Sequence, residues 1–249
     1  MAVAGLGCAN SQDTTERAGS MRAKSEIDAP WQCPVGETAA RASVHYSFRV
    51  VDFASRAPIK GLEAKACRNR DIACEEPVAT FIDTHETSKV ELELPNGFAG
   101  FVEVTSEALD TLLYVTNPLV KDTLDRDLTV PTADTVSLFA TLLDYSWDMD
   151  KGIVVLEVLD CDEAPQGGIH FDSQAGGDGF YIIDEMPDKG AQLTVFDPAA
   201  DTAEGGFLNV PPGSVEFSGQ SGADSNAVAL GTFEAQVRPR TMTVIVLHH

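Results

Sequence analysis

The sequence predicts an all-β protein of two tandem antiparallel β-sandwiches, with one short helix at the start of the second. Three observations predict it. The 249 residues include 20 Gly and 13 Pro, spread among Val- and Thr-rich runs in the manner of strands joined by turns. Several runs alternate apolar and charged residues, as a strand with one face in a core and one in water must. The strongest observation is an internal repeat. Pro58-x-x-Gly61-Leu62-x-Ala64 returns as Pro165-x-x-Gly168-Ile169-x-Phe171, and Leu94-Pro95-Asn96-Gly97 returns as Val210-Pro211-Pro212-Gly213. The features keep their order at a separation of about 110 residues, which is the signature of a duplicated unit.

Each copy of the first motif follows an apolar strand that ends in Asp, at Asp52 and at Asp160. Each copy of the second precedes an alternating strand, Val102-Glu103-Val104 or Val215-Glu216-Phe217. Val90 to Leu94 alternates, and Thr241 to Leu247 reads as a buried closing strand. One segment breaks the period. Val136, Phe139, Ala140 and Leu143 recur at helical spacing, with Thr132 and Asp134 as N-cap candidates, and predict a helix over 133–144. The units are expected at 31–131 and 132–249, after a segment 1–30 that belongs to neither.

That opening segment reads as a signal remnant and tether. Met1 to Gly7 is small and apolar and leads into Cys8, which would carry a lipid after cleavage. Ala9 to Pro30 is polar and lacks the apolar surface to offset the conformational entropy of folding. The other four cysteines are Cys33, Cys67, Cys74 and Cys161. Cys67 and Cys74 flank a short polar loop that a bridge would staple, and Cys33 and Cys161 are left to pair across the molecule; sequence leaves the connectivity open. An even cysteine count beyond Cys8 suits export to an oxidising compartment, as an envelope-anchored or extracellular protein.

Asp52…Pro58-Ile-Lys-Gly61-Leu62-Glu-Ala64 and Glu204-Gly-Gly-Phe207-Leu-Asn-Val210-Pro-Pro-Gly213-Ser-Val215-Glu-Phe217 resemble carboxypeptidase regulatory-like domains, the transthyretin-like or prealbumin-like sandwiches. In that family P-x-x-G opens the second strand, and a Pro-Gly turn joins a strand to its return. The first copy departs at Asp83-Thr-His-Glu-Thr-Ser88, where the family carries a turn glycine. The resemblance covers about 44–249 and implies an Ig-like sandwich serving as a rigid, non-catalytic module.

Charge narrows the partners. Seventeen Lys+Arg against 39 Asp+Glu leave a net charge of −22, which repels phosphate backbones and excludes a nucleic-acid partner. No apolar run reaches the roughly 20 residues of a membrane helix. The expected partner is a surface ligand or protein. Nucleophile signatures are missing: Gly219-Gln-Ser221-Gly222-Ala223 lacks the closing glycine of a nucleophile elbow, and no His pair stands at metalloprotease spacing. A hydrolase with a scattered triad is the weakest reading, and no cofactor is expected. Two accessory sites compete with the structural reading. Asp144, Asp148 and Asp150 offer hard oxygen ligands for calcium before Gly152. Tyr145 and Trp147 are two residues apart and would share a face of an extended segment as a carbohydrate platform.

Overall fold

A computed structural model describes residues 42–248 apart from 86, 108–109, 124–125, 133, 163, 184–185, 190–203 and 222–227. The first half carries β1 (Ser43–Asp52), β2 (Glu63–Arg68), β3 (Ala79–Ile82), β4 (Lys89–Pro95), β5 (Phe98–Thr105), β6 (Asp110–Leu119) and β7 (Asp127–Val130). Helix α1 (Val136–Leu142) leads into β8 (Gly152–Leu159), β9 (Ile169–Ser173), β10 (Asp178–Ile183), β11 (Met186–Lys189), β12 (Glu204–Val210), β13 (Gly213–Ser221), β14 (Val228–Val237) and β15 (Met242–His248). The protein is all-β with one short helix.

The two halves repeat one topology. In the first, β1 lies between antiparallel β4 and parallel β7, and β5 lies between β2 and β6. In the second, β8 lies between antiparallel β12 and parallel β15, and β13 lies between β9 and β14. The repeated sequence motifs occupy equivalent places. Pro58 bridges back to Val51, and Pro165 bridges back to Leu159. Each turn is closed by an aspartate at the strand's end, Asp52 as the last residue of β1 and Asp160 just after β8. Asp52 Oδ1 accepts from Ser55 N (2.8 Å) and Ser55 Oγ (2.7 Å), and Asp160 Oδ1 accepts from Asp162 N (2.8 Å) and Ala164 N (2.9 Å). Gly61 (φ 67°) and Gly168 (φ 92°) then reverse the chain through a backbone conformation that a side chain disfavours.

The halves are fused. β15 pairs in parallel with β8 on one side and with β6 of the first half on the other. A single sheet of nine strands results, ordered β11-β10-β12-β8-β15-β6-β5-β2-β3. Its two faces hold separate cores, one roofed by β4-β1-β7 and α1, the other by β14-β13-β9. β15 serves both, because successive side chains point to opposite faces. Met242, Val244 and Val246 enter the first core, while Ile245 and Leu247 enter the second. Local alternation specifies which residues turn inward but not which strand lies alongside or in which direction. For that reason the parallel pairs were not legible in the sequence.

The helix is shorter than the spacing suggests, and its cap lies elsewhere. It begins at Val136 after Thr135, which makes no side-chain capping bond; neither Thr132 nor Asp134 occupies the N-cap. The Thr135 hydroxyl instead donates to Asp52 Oδ2 (2.8 Å) and accepts from Thr132 N (2.8 Å), so a tight turn over 132–135 delays the helix. Phe139, Ala140 and Leu143 are buried at the expected spacing, and Phe139 meets both Phe53 and Phe180 edge-on.

In the first half, an aspartate organises the turn at 83–88, where the sequence has no glycine. Asp83 is 7% exposed. Its carboxylate accepts from the backbone amides of His85 (3.2 Å), Thr87 (3.0 Å) and Ser88 (3.0 Å) and from Thr87 Oγ1 (3.3 Å). Ser88 takes the left-handed conformation (φ 58°). Burial raises the Asp83 carboxyl, but these donors outweigh it and hold it below its ordinary value.

Two stability effects are expected. Asp83→Ala leaves three backbone amides without their acceptor, that of Ser88 buried, and should cost about 1–3 kcal/mol in urea unfolding near neutral pH. Because the folded value is depressed, the carboxylate's contribution is complete above its ordinary range and fades only as pH falls below about 4, through the folded value. The difference between wild type and Asp83→Ala should therefore shrink in acid. Ile245→Ala opens a void beneath the central strand and should cost about 2–5 kcal/mol. A change under 1 kcal/mol would show that β15 does not hold the second core.

Candidate functional site

A small cavity lies at the seam where the roof of the first half meets the sheet strands of the second. Its chemistry begins with strand phase. On β8, Ile153 and Val155 face the first core while Val154 and Leu156 face the second; on β12, Leu208 faces the first and Phe207 the second. The same alternation turns Glu157 and Glu204 toward the first core. These two carboxyls stand directly opposite each other across the β8–β12 pair.

The roof answers with two arginines. Arg126, just before β7, donates from Nη1 to Glu157 Oε2 at 3.0 Å. Arg56, in the turn after β1 (φ 57°), donates from Nη1 to Thr129 Oγ1 at 2.9 Å. Between these groups is a cavity of about 70 Å³. Arg56, Thr129 and Glu204 supply its polar lining; Phe53, Phe139, Val155, Ile182 and Met242 are among its apolar walls. Burial pushes the Glu204 carboxyl up to about 7; repulsion from Glu157 adds to this, and Arg126 and Arg56 oppose it. Among the described residues no hydrogen bond reaches that carboxyl. The site therefore presents a carboxyl that titrates near neutrality, with two guanidiniums close enough to oppose that shift.

None of these four charged residues was singled out as a site residue from the sequence, where Glu204 figured only as part of a turn motif. A signal existed for one: Glu157 interrupts the apolar run Gly152–Leu159 at a phase that should face a core. Its partners are contributed by turns and strands remote in sequence, and only the fold brings them together.

The residues singled out from sequence lie elsewhere. Tyr145, Ser146, Trp147 and Asp148 follow α1, and Asn209 pins them to β12. Its Nδ2 donates to Ser146 O (2.8 Å) and Asp178 Oδ2 (2.6 Å), and its Oδ1 accepts from Asp148 N (2.8 Å). Tyr145 and Trp147 are half-buried and pack against the first core. The Tyr145 hydroxyl donates to Gly179 O (3.2 Å), and Lys189 Nζ sits 4.7 Å over its ring. Asp144 faces Lys189 (3.0 Å), while Asp148 faces Lys151 (3.5 Å) and accepts from Asp150 N (3.0 Å). Asp144 and Asp148 are thus turned to separate lysines, and no group of three metal-ligating side chains forms among the described residues.

Cys67 and Cys74 form a disulfide with Cα atoms 5.5 Å apart, buried against Phe101 and Leu112. Cys161 is also disulfide-bonded. Cys8 and Cys33 lie outside the described residues.

No protein-family profile matches the chain, and no curated protein matches it. Among solved structures, the Bacillus anthracis TIE protein is similar over 83% of this chain and 34% of its own length, at 11% identity and a TM-score of 0.26. The chain thus spans about a third of that protein. The shaft pilin SpaA from Lactobacillus rhamnosus GG is similar over 83% of this chain and 97% of its own, at 8% identity and a TM-score of 0.26. A Streptococcal ancillary pilin is similar over 83% and 69%, at 13% identity and a TM-score of 0.24. At these scores the β-sandwich architecture rests on this chain's own strand pairing. No helix among the described residues is long and apolar enough to cross a membrane.

The raised Glu204 carboxyl has a consequence of definite sign. From about pH 4.5 to about 7 the folded state holds a proton that the unfolded chain has lost, so stability falls across this window and is level above it. Glu204→Gln should abolish that decline. The variant should match wild type at pH 5 and exceed it at pH 8 by up to about 3 kcal/mol in urea unfolding. Equal stability at pH 8 would mean that Glu204 ionises without cost.

Proposed function

We propose that the protein is a non-catalytic, exported structural module of the cell envelope, presenting two carboxypeptidase regulatory-like sandwiches, 31–131 and 132–249, on a tether anchored through a lipid at Cys8. The observation that carries the exported reading is the buried Cys67–Cys74 bridge, since such bridges persist in oxidising compartments and are rare where thiols are kept reduced. Cys161 is disulfide-bonded as well; with Cys8 lipidated and Cys67 paired to Cys74, Cys33 is its one remaining partner. The shared nine-stranded sheet supports a structural role, because backbone hydrogen bonds between β6 and β15 fix one half against the other. A net charge of −22 keeps such a module soluble and away from anionic surfaces.

Intact mass of the protein expressed from its native locus tests the proposal under non-reducing and reducing conditions. The expected result is a diacylglyceryl adduct on a chain beginning at Cys8, with a gain of four protons on reduction for the two bridges. Reduction of the Cys67–Cys74 bridge alone should cost about 2 kcal/mol, the loop-closure entropy of so short a ring. An unprocessed chain with free thiols would overturn both the anchor and the export.

A further inference from the structure

We propose that the Cys67–Cys74 bridge is a redox-sensitive latch: its oxidation positions the loop between the two cysteines to receive Arg238, and so fixes the turn that feeds β15 against the first half. The proposal rests on the exported reading, because it needs a compartment that oxidises thiols.

The bridge is what seats the loop on the sheet. Cys67 lies on β2 and pairs with Phe101 of β5. Its carbonyl is closely packed there, since a Cβ on Gly100 would lie 2.1 Å from it. The chain then leaves the sheet and comes back at Cys74, whose Cα is 5.5 Å from that of Cys67. The two cysteines are buried with Phe101 and Leu112 in a cluster of their own, whereas Ile72 between them is 51% exposed. Asp71 shapes the loop from within, accepting from Glu75 N (3.0 Å) and Glu76 N (2.9 Å). Cys74 takes the left-handed conformation (φ 53°), which a residue with a Cβ disfavours. Reduction lets the chain leave it.

The other half of the latch is Arg238, in the turn between β14 and β15. Its Nη2 donates to Ile72 O (2.7 Å) and its Nη1 to Glu103 Oε2 on β5. Two bonds from one rigid fork fix where the turn sits. Nearby, Gln236 N donates to Tyr114 Oη (2.8 Å), and Tyr114 packs against both the bridge cluster and the second core. These contacts from the turn to the first half converge on the bridge. The same turn is tied to the start of β8, through Arg240 N to Lys151 O (2.9 Å) and Ile153 N to Thr241 O (3.1 Å). β15 begins directly after it, at Met242.

Closing the latch is a two-electron exchange with a disulfide oxidant. One cysteine thiolate attacks a sulfur of the oxidant and forms a mixed disulfide. The second thiolate displaces that sulfur, and the oxidant leaves as a dithiol carrying both electrons and both protons. Docking and oxidation then favour each other by the same factor, because the coupling is reciprocal.

Reciprocity supplies the test. Purified oxidised chain is equilibrated with reduced and oxidised dithiothreitol, and the state of Cys67 and Cys74 is read by alkylation and peptide mass. Arg238→Met should raise the equilibrium constant for reduction of this bridge by about tenfold. Ile245→Ala, which weakens the second core away from the loop, should change it by less than about twofold. The second readout is hydrogen exchange of the β15 amides. Arg238→Met should speed it about tenfold in the chain with the bridge, and less than about twofold in a Cys67→Ala/Cys74→Ala background. Loop-closure entropy acts on the unfolded chain and is indifferent to Arg238, so it adds nothing to this difference. An unchanged reduction equilibrium in Arg238→Met, or an equal rise in Ile245→Ala, overturns the latch without recourse to the cysteine variant. Exchange effects that multiply independently overturn it as well. Both readouts are blind to the anchor and the compartment, which the intact mass reads separately.

Discussion

The structure depends on one strand having two neighbours in the same direction. β15 lies between β8 and β6 and gives side chains to both cores. Without it, the two halves would each present an unpaired sheet edge, at β6 and at β8. With it, four strands of the first half and five of the second become one sheet, and the two three-stranded sheets become roofs on its opposite faces. Edges of this kind are a hazard to β proteins, since their unpaired amides and carbonyls recruit other chains. Here two internal edges are spent on each other, and the remaining outer strands of the long sheet, β3 and β11, are only four residues long.

Joining duplicated units in this way creates an interface that neither unit has alone. The roof of the first half overlies strands β8, β10 and β12 of the second, so their outward faces had to become apolar. Phe180, Leu208, Ile153 and Val155 meet that demand, with Phe139 of the helix wedged against Phe180. Glu157 and Glu204 do not. They occupy core-facing positions as carboxyls, and two arginines lie over them. Among the described residues the seam departs from apolar character there, beside a hollow and a carboxyl held partly protonated.

Much of the architecture was legible because β structure writes its burial with a period of two and its turns with Gly, Pro and Asp. The duplication was readable in Pro58 and Pro165, in Gly61 and Gly168, and in the aspartates that close both turns. The helix was readable in its buried spacing but not in its start, which is set by the tertiary bond from Thr135 to Asp52, 83 residues away. Asp83 shows the limit of motif reading: the expected glycine is absent, yet the turn is made by a carboxylate that collects three amides. The seam was illegible for a different reason. Glu157, Glu204, Arg56 and Arg126 form no local pattern, and their relation exists only once the two halves share a sheet.

The position of β15 also sets the order of assembly. Its partner β6 is more than a hundred residues earlier in the chain, with Met242 aligned to Thr111 and Val246 to Val115. Contacts of such long range carry a loop-closure cost before any pairing rewards it, and they make folding slow. Neither core is complete until this strand arrives. A chain emerging amino-terminus first would hold its first half as an unfinished sandwich with an open β6 edge until β15 has been made. Commitment to the native state is in this sense deferred to β15, the strand on which both cores close.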